Sequence, residues 1–125
     1  MKSKKILLIF ITVCLLSGCM NMPTPPSQIT GSYVSPVKYA NYDCTQLAAE
    51  TGSLARRENV LVTAQNQRIK TSETQAFWWG YGQGDGVEAS ELASVRGDKE
   101  AVRTSMESKE CENVPPKADT APKSK

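Results

Sequence analysis

Apolar residues follow three different patterns along the chain. From Ile6 to Leu16 they form a nearly unbroken run of eleven residues, preceded by Lys2, Lys4 and Lys5 and followed by Ser17 and Gly18. A run that short falls well below the roughly 20 residues that span a bilayer as a helix. A basic start, a short apolar stretch and then small residues is the order of a removable export signal, residues 1–18. Between Leu47 and Ile69 the pattern becomes periodic. Leu47, Leu54, Leu61 and Arg68 recur every seven residues, with Ala48, Ala55, Val62 and Ile69 alongside and Ala40 and Ala64 as small flanking side chains. This stripe is narrow, as in the coiled-coil-like seam of a helix packed on one partner. Glu50, Arg56, Arg57, Glu58, Gln65, Gln67 and Lys70 supply the solvated face. The third pattern, Ala89, Leu92, Val95, Val102 and Met106 with Lys99 at one seam position, describes a second amphipathic helix.

Start and stop signals bound these helices. Asp43 with Gln46 three residues later reads as a capping box, and Asp85 with Glu88 repeats that logic. Helix one is predicted over 44–72 and helix two over 86–111, where Pro115 and Pro116 prevent continuation. Gly52 costs helix one about 1 kcal/mol relative to alanine, and Gly97–Asp98 predicts a kink or fray in helix two. Both helices are expected to extend roughly 40 Å.

The remaining segments lack such periods. Residues 19–32 carry three prolines and are expected to form a flexible, extended tether that lifts the folded part from its anchor. Residues 33–43 are a tyrosine-rich extended segment in which Ser35-Pro36 favours a bend. Tyr33, Tyr39 and Tyr42 are expected to pack on the helices, with a binding surface as the alternative. Residues 112–125 read as a polar, disordered tail. Residues 73–85 form a tip in which Phe77, Trp78, Trp79 and Tyr81 sit beside glycines alternating from Gly80 to Gly86. No phosphate-loop ending accompanies those glycines. The rings admit three uses: a small satellite core, contact with a membrane interface, or an aromatic hot spot for another protein.

Four cysteines divide by position. Cys14 lies in the apolar run and Cys19 directly follows it, which leaves Cys44 and Cys111. In an exported protein an internal bridge between these two is favoured, with buried free thiols or a chain-to-chain bridge as alternatives. Cys44 begins helix one and Cys111 ends helix two, so antiparallel packing brings them to the same end. The expected fold is therefore all-α, a disulfide-closed antiparallel two-helix hairpin behind a lipidated tether. Closing a 67-residue loop stabilises such a fold by roughly 4 kcal/mol on chain-entropy grounds.

Leu16-Ser17-Gly18-Cys19, placed after that basic and apolar start, resembles the lipobox of bacterial lipoproteins, the type cut by signal peptidase II. The resemblance implies that Cys19 is lipidated, carries acyl chains such as palmitate, and becomes the first mature residue. A single acyl chain holds reversibly, so the two or three chains implied would anchor firmly. In the Gram-negative pattern Asp after the lipidated cysteine retains the protein in the inner membrane. Met20 and Asn21 stand here, which implies the outer membrane facing the periplasm, with the inner membrane and the cell surface as alternatives. Tyr33-x-Ser-Pro36-x-x-Tyr39, Cys44 at the head of a helix, the glycine-rich tip and Cys111 together resemble a group of small bacterial envelope lipoproteins, over residues 31–111. Members of that group can have a longer, strongly apolar middle segment, and the group implies no catalytic activity.

Composition narrows the function classes. Fifteen basic and thirteen acidic residues give a net charge of +2. Removal of the three signal lysines leaves twelve against thirteen, so no net positive charge remains to attract nucleic acid. No histidine is present, which removes the usual general base and the commonest nitrogen ligand. No catalytic site, cofactor, metal or small-molecule substrate is expected. The chain reads as a lipid-anchored structural or interaction component of the bacterial envelope, whose partners are membrane lipid through Cys19 and an envelope protein docked on Phe77, Trp78, Trp79 and Tyr81. The alternatives are a membrane-perturbing, lysis-type lipoprotein and an entry-exclusion or secretion/conjugation accessory lipoprotein.

Overall fold

The computed structural model describes residues 21–115. Two helices, α1 (Cys44–Trp79) and α2 (Val87–Ser108), pack on one another, and a Cys44–Cys111 disulfide joins them. Their contacts fix the direction of packing. Thr51 meets Met106, Glu58 pairs with both Arg96 and Lys99, and Arg68 pairs with Glu88. Numbers rise on α1 as they fall on α2, so the helices run in opposite directions. Leu47, Leu54 and Leu61 are buried in one cluster with Leu92, Val95, Val102, Met106 and Tyr39. Ala48 is exposed and Ala55, Val62 and Ile69 are half-buried, as a narrow seam requires. Beyond Leu61 the buried positions of α1 turn polar, at Gln65 and Ser72.

The boundaries depart from expectation in informative ways. The capping box at the start of α1 forms as read: Asp43 Oδ1 accepts from Gln46 N–H at 2.8 Å, and Gln46 Oε1 accepts from Asp43 N–H at 2.9 Å. α1 then continues seven residues past the expected end at Ser72, because Glu73 to Trp79 contains neither glycine nor proline. It stops at Gly80, which takes the left-handed conformation (φ 76°) and returns its N–H to the Ala76 carbonyl. α2 begins at Val87 without a side-chain cap, since Asp85 is engaged elsewhere. It ends at Ser108, before Cys111. Glu110 is left-handed (φ 53°), and Cys111 N–H returns to the Met106 carbonyl at 3.0 Å. That closure turns Cys111 toward Cys44, with the two Cα atoms 5.6 Å apart.

Residues 21–43 add a segment with two short 3-10 turns, Pro26–Gln28 and Pro36–Tyr39, where extended backbone was expected, so the fold is more than a helix pair. The segment expected to be a free tether lies along both helices. Ser32 N–H donates to the Ala93 carbonyl at 2.9 Å, and the Arg96 guanidinium donates to the carbonyls of Pro26 and Ile29. In the first of these turns Ile29 N–H donates to the Pro26 carbonyl at 3.3 Å, and a carbonyl oxygen has a second lone pair for a donor such as Arg96. Arg96 also donates to Glu58 at 2.7 Å, which ties α1, α2 and this segment through one side chain. Further along, Lys38 and Tyr39 both donate to Asp98, Ser105 donates to the Pro36 carbonyl, and Lys109 donates to the Ala40 carbonyl.

Gly97 does not interrupt or fray α2, which is helical from Val87 to Ser108. A Cβ at this position would overlap the Ser32 carbonyl. The glycine is the place where the segment's backbone approaches the helix closely. Of the three tyrosines only Tyr39 is buried; Tyr42 lies edge-on to it at 5.3 Å, while Tyr33 projects into solvent. Burial, with the hydrogen bond to Asp98, pushes the Tyr39 phenol up to about 12.

Candidate functional site: the aromatic tip

α1 outruns α2. Arg68 faces Glu88 near the start of α2, so residues 69–79 extend about 16 Å beyond the helix pair. Phe77, Trp78 and Trp79 occupy the last turn of that extension, and Tyr81 follows the Gly80 cap. They are 80%, 72%, 74% and 61% exposed. Phe77 and Trp78 meet edge to face at 5.3 Å, yet this exposure shows that the rings do not enclose a satellite core. From Thr74 to Gly84 the chain has eleven residues and no charge. The end of the molecule is thus an uncharged, aromatic projection.

Polar contacts hold the base of this projection. After Tyr81 the loop returns along α1, and Gln83 N–H donates to Ser72 Oγ at 3.2 Å. Asp85 is the hub. Its carboxylate accepts from the Thr24 backbone N–H at 2.6 Å, from the Thr24 hydroxyl at 2.5 Å and from Gln65 Nε2 at 2.8 Å. Gln65, fully buried, donates a second bond to the Thr24 carbonyl at 2.9 Å. The bonds from Thr24 hold the Asp85 carboxyl below the usual carboxylate range, with Gln65 and the nearby Arg68 charge adding to them. Glu88 is held low as well, by its own backbone N–H and by Arg68. Farther down the seam, burial opposes ionisation of Glu58, but bonds from Lys99 and Arg96 outweigh it and keep its carboxyl low.

The N-terminal segment starts at this same end. Gly84 (φ 68°) donates its N–H to the Asn21 carbonyl at 2.8 Å. A Cβ on Gly84 would overlap the Asn21 side chain, so the glycine serves both the left-handed turn and the close approach. Of the residues singled out by sequence, the structure unites Phe77, Trp78, Trp79 and Tyr81 at one end and Cys44 with Cys111 at the other. Cys14 and Cys19 lie outside the described residues. Sequence reading missed Thr24 and Arg96 and put Gln65, which is fully buried, on the solvated face; the role of all three depends on partners 20 to 70 positions away.

The arrangement offers ring faces, a phenol and two indole N–H groups, which suit contact rather than bond-making. Among the described residues no group of His, Cys, Asp and Glu is placed to hold a metal ion, and no helix is long and apolar enough to cross a membrane. No protein-family model matches the chain, and no curated protein or solved structure matches it significantly.

Proposed function

We propose that this chain is a lipid-anchored structural or interaction component of a bacterial cell envelope, held at the outer membrane and facing the periplasm, without catalytic activity. The observation that carries the reading is the box Leu16-Ser17-Gly18-Cys19 at the end of a basic and then apolar leader. Acyl chains on Cys19 fix the protein to lipid. The finer architecture belongs to the same reading: a disulfide-closed antiparallel helix pair works as a rigid spacer between the anchor and whatever docks on its exposed faces. The disulfide agrees with an oxidising compartment.

Mass analysis of protein taken from its native envelope tests the anchor. A chain that begins at Cys19 and carries acyl groups is expected. A soluble product cut elsewhere, with Cys19 unmodified, would sink the reading. The exposure of the adjacent Trp78 and Trp79 favours one second reading, a membrane-perturbing lipoprotein. Release of an entrapped dye from vesicles by the purified acylated protein distinguishes it, since a docking component leaves vesicles sealed.

A further inference from the structure

The N-terminal segment has a direction on the fold. Asn21 contacts Gly84, Thr24 contacts Asp85, and Pro26 and Ile29 contact Arg96. Pro36 then reaches Ser105, and Ala40 reaches Lys109 beside the disulfide. Lower numbers lie toward the aromatic tip and higher numbers toward the bridge. Only two residue steps separate Asn21 from Cys19, and an extended chain covers at most about 7 Å in two residues. Acyl chains on Cys19 are therefore delivered to the tip end of the molecule.

We propose that Phe77, Trp78, Trp79 and Tyr81 form a membrane-contact face, seated in the headgroup region of the leaflet that receives the Cys19 acyl chains. The inference rests on the anchoring reading and adds an orientation to it. Three observations carry it. The docked segment leaves no slack, so the four rings stay close to lipid whenever the anchor is inserted. The rings are 61–80% exposed, and among the described residues Phe77 and Trp78 pair edge to face with each other. The stretch 74–84 contains no charge to resist entry into an interface, and tryptophan and tyrosine are the side chains that settle at headgroup level. A protein partner also suits aromatic anchors, but it would have to enter the gap that the short connection closes. In this orientation α1 stands on its C-terminal turn and carries the disulfide end as far as about 50 Å from the lipid.

The chain has two tryptophans, Trp78 and Trp79, so tryptophan emission, excited selectively over tyrosine, reports this face alone. The test uses full-length acylated protein in vesicles of phosphatidylethanolamine and phosphatidylglycerol, with and without brominated acyl chains. The expected result is emission shifted to the blue relative to the unacylated Cys19→Ser protein in buffer. Bromine should quench it, and acrylamide should lose access. Protein shown by mass to be acylated and bound, yet with unshifted emission and no bromine quenching, overturns the inference and leaves the anchor standing. Capture of a specific envelope protein by a photocrosslinker at position 78 in cells, in place of lipid, overturns it too. A chain without acyl groups on Cys19 removes the anchor and this inference together.

Discussion

The two ends of this molecule are held by opposite means. At the disulfide end a covalent bridge, the buried Tyr39 ring and Met106 close the seam, and Lys109 reaches the Ala40 carbonyl across it. At the tip end no bridge exists among the described residues, and large apolar side chains are left outside. Order there comes from the carboxylate of Asp85, the amide of Gln65 and the backbone of residues 21–24. An end fixed by hydrogen bonds does not need its rings for packing. The aromatic residues are thus separable from the fold, whereas the cysteines are part of it.

Substitutions at each end should differ accordingly. The largest effect is expected from Cys44→Ser with Cys111→Ser, or from reduction, at up to about 4 kcal/mol. Denaturant unfolding under oxidising and reducing conditions measures it, and equal midpoints would mean that the bridge adds nothing. Gly97→Ala comes next. In an ordinary helix the change stabilises by about 1 kcal/mol, but here the new methyl displaces the Ser32 backbone, and a net loss of about 1–3 kcal/mol is expected. A stabilised Gly97→Ala protein would show that residues 26–36 do not rest on α2.

Asp85→Ala should cost about 2 kcal/mol, since it removes three bonds to a charged acceptor. It should also raise amide exchange around residues 21–24 and 82–86 while the disulfide end stays protected. pH separates the same regions. Asp85, Glu88 and Glu58 have folded-state pKa values lowered below their unfolded values of about 4. Their stabilisation is complete above that value and is lost as pH falls through the lower folded values, so acid should loosen the tip and the middle first. Tyr39 has the reverse sign. Its stabilisation is complete below the unfolded value of about 10 and is lost as pH rises toward about 12, so alkali should act at the disulfide end. Amide exchange at both pH extremes checks the order. The smallest effect on stability, within about 0.5 kcal/mol, is expected from Trp78→Ser with Trp79→Ser. A large loss of helicity in that variant would return the rings to the fold.

What sequence made legible follows from the range of each signal. The seven-residue stripe through Leu47, Leu54 and Leu61 and the Asp43–Gln46 cap are local, and both are found. The pairing of Cys44 with Cys111 was legible because helix direction and cysteine position agree. The clustering of the four rings was equally plain, but their helical setting was not, because the neighbouring glycines suggested a turn several residues too early. The docking of residues 21–36 gave no local sign. It depends on main-chain carbonyls meeting Arg96 and on a missing side chain at Gly97, and neither leaves a period. Gly97 therefore read as a weak point in α2, and Asp85 as a helix cap rather than the hub it is.

The docked segment also sets an order of events in time. Residues 21–36 are made, and on the proposed route exported, before either helix, yet much of their seat, Ala93, Arg96, Gly97 and Ser105, lies some 60 to 70 positions later. Contacts of such long sequence separation form late, after the intervening chain has closed. The first part to emerge is thus the last to settle. Completion of α2 then draws residues 21–36 onto the helices, so closure of the fold is timed by the length of chain between this segment and its seat.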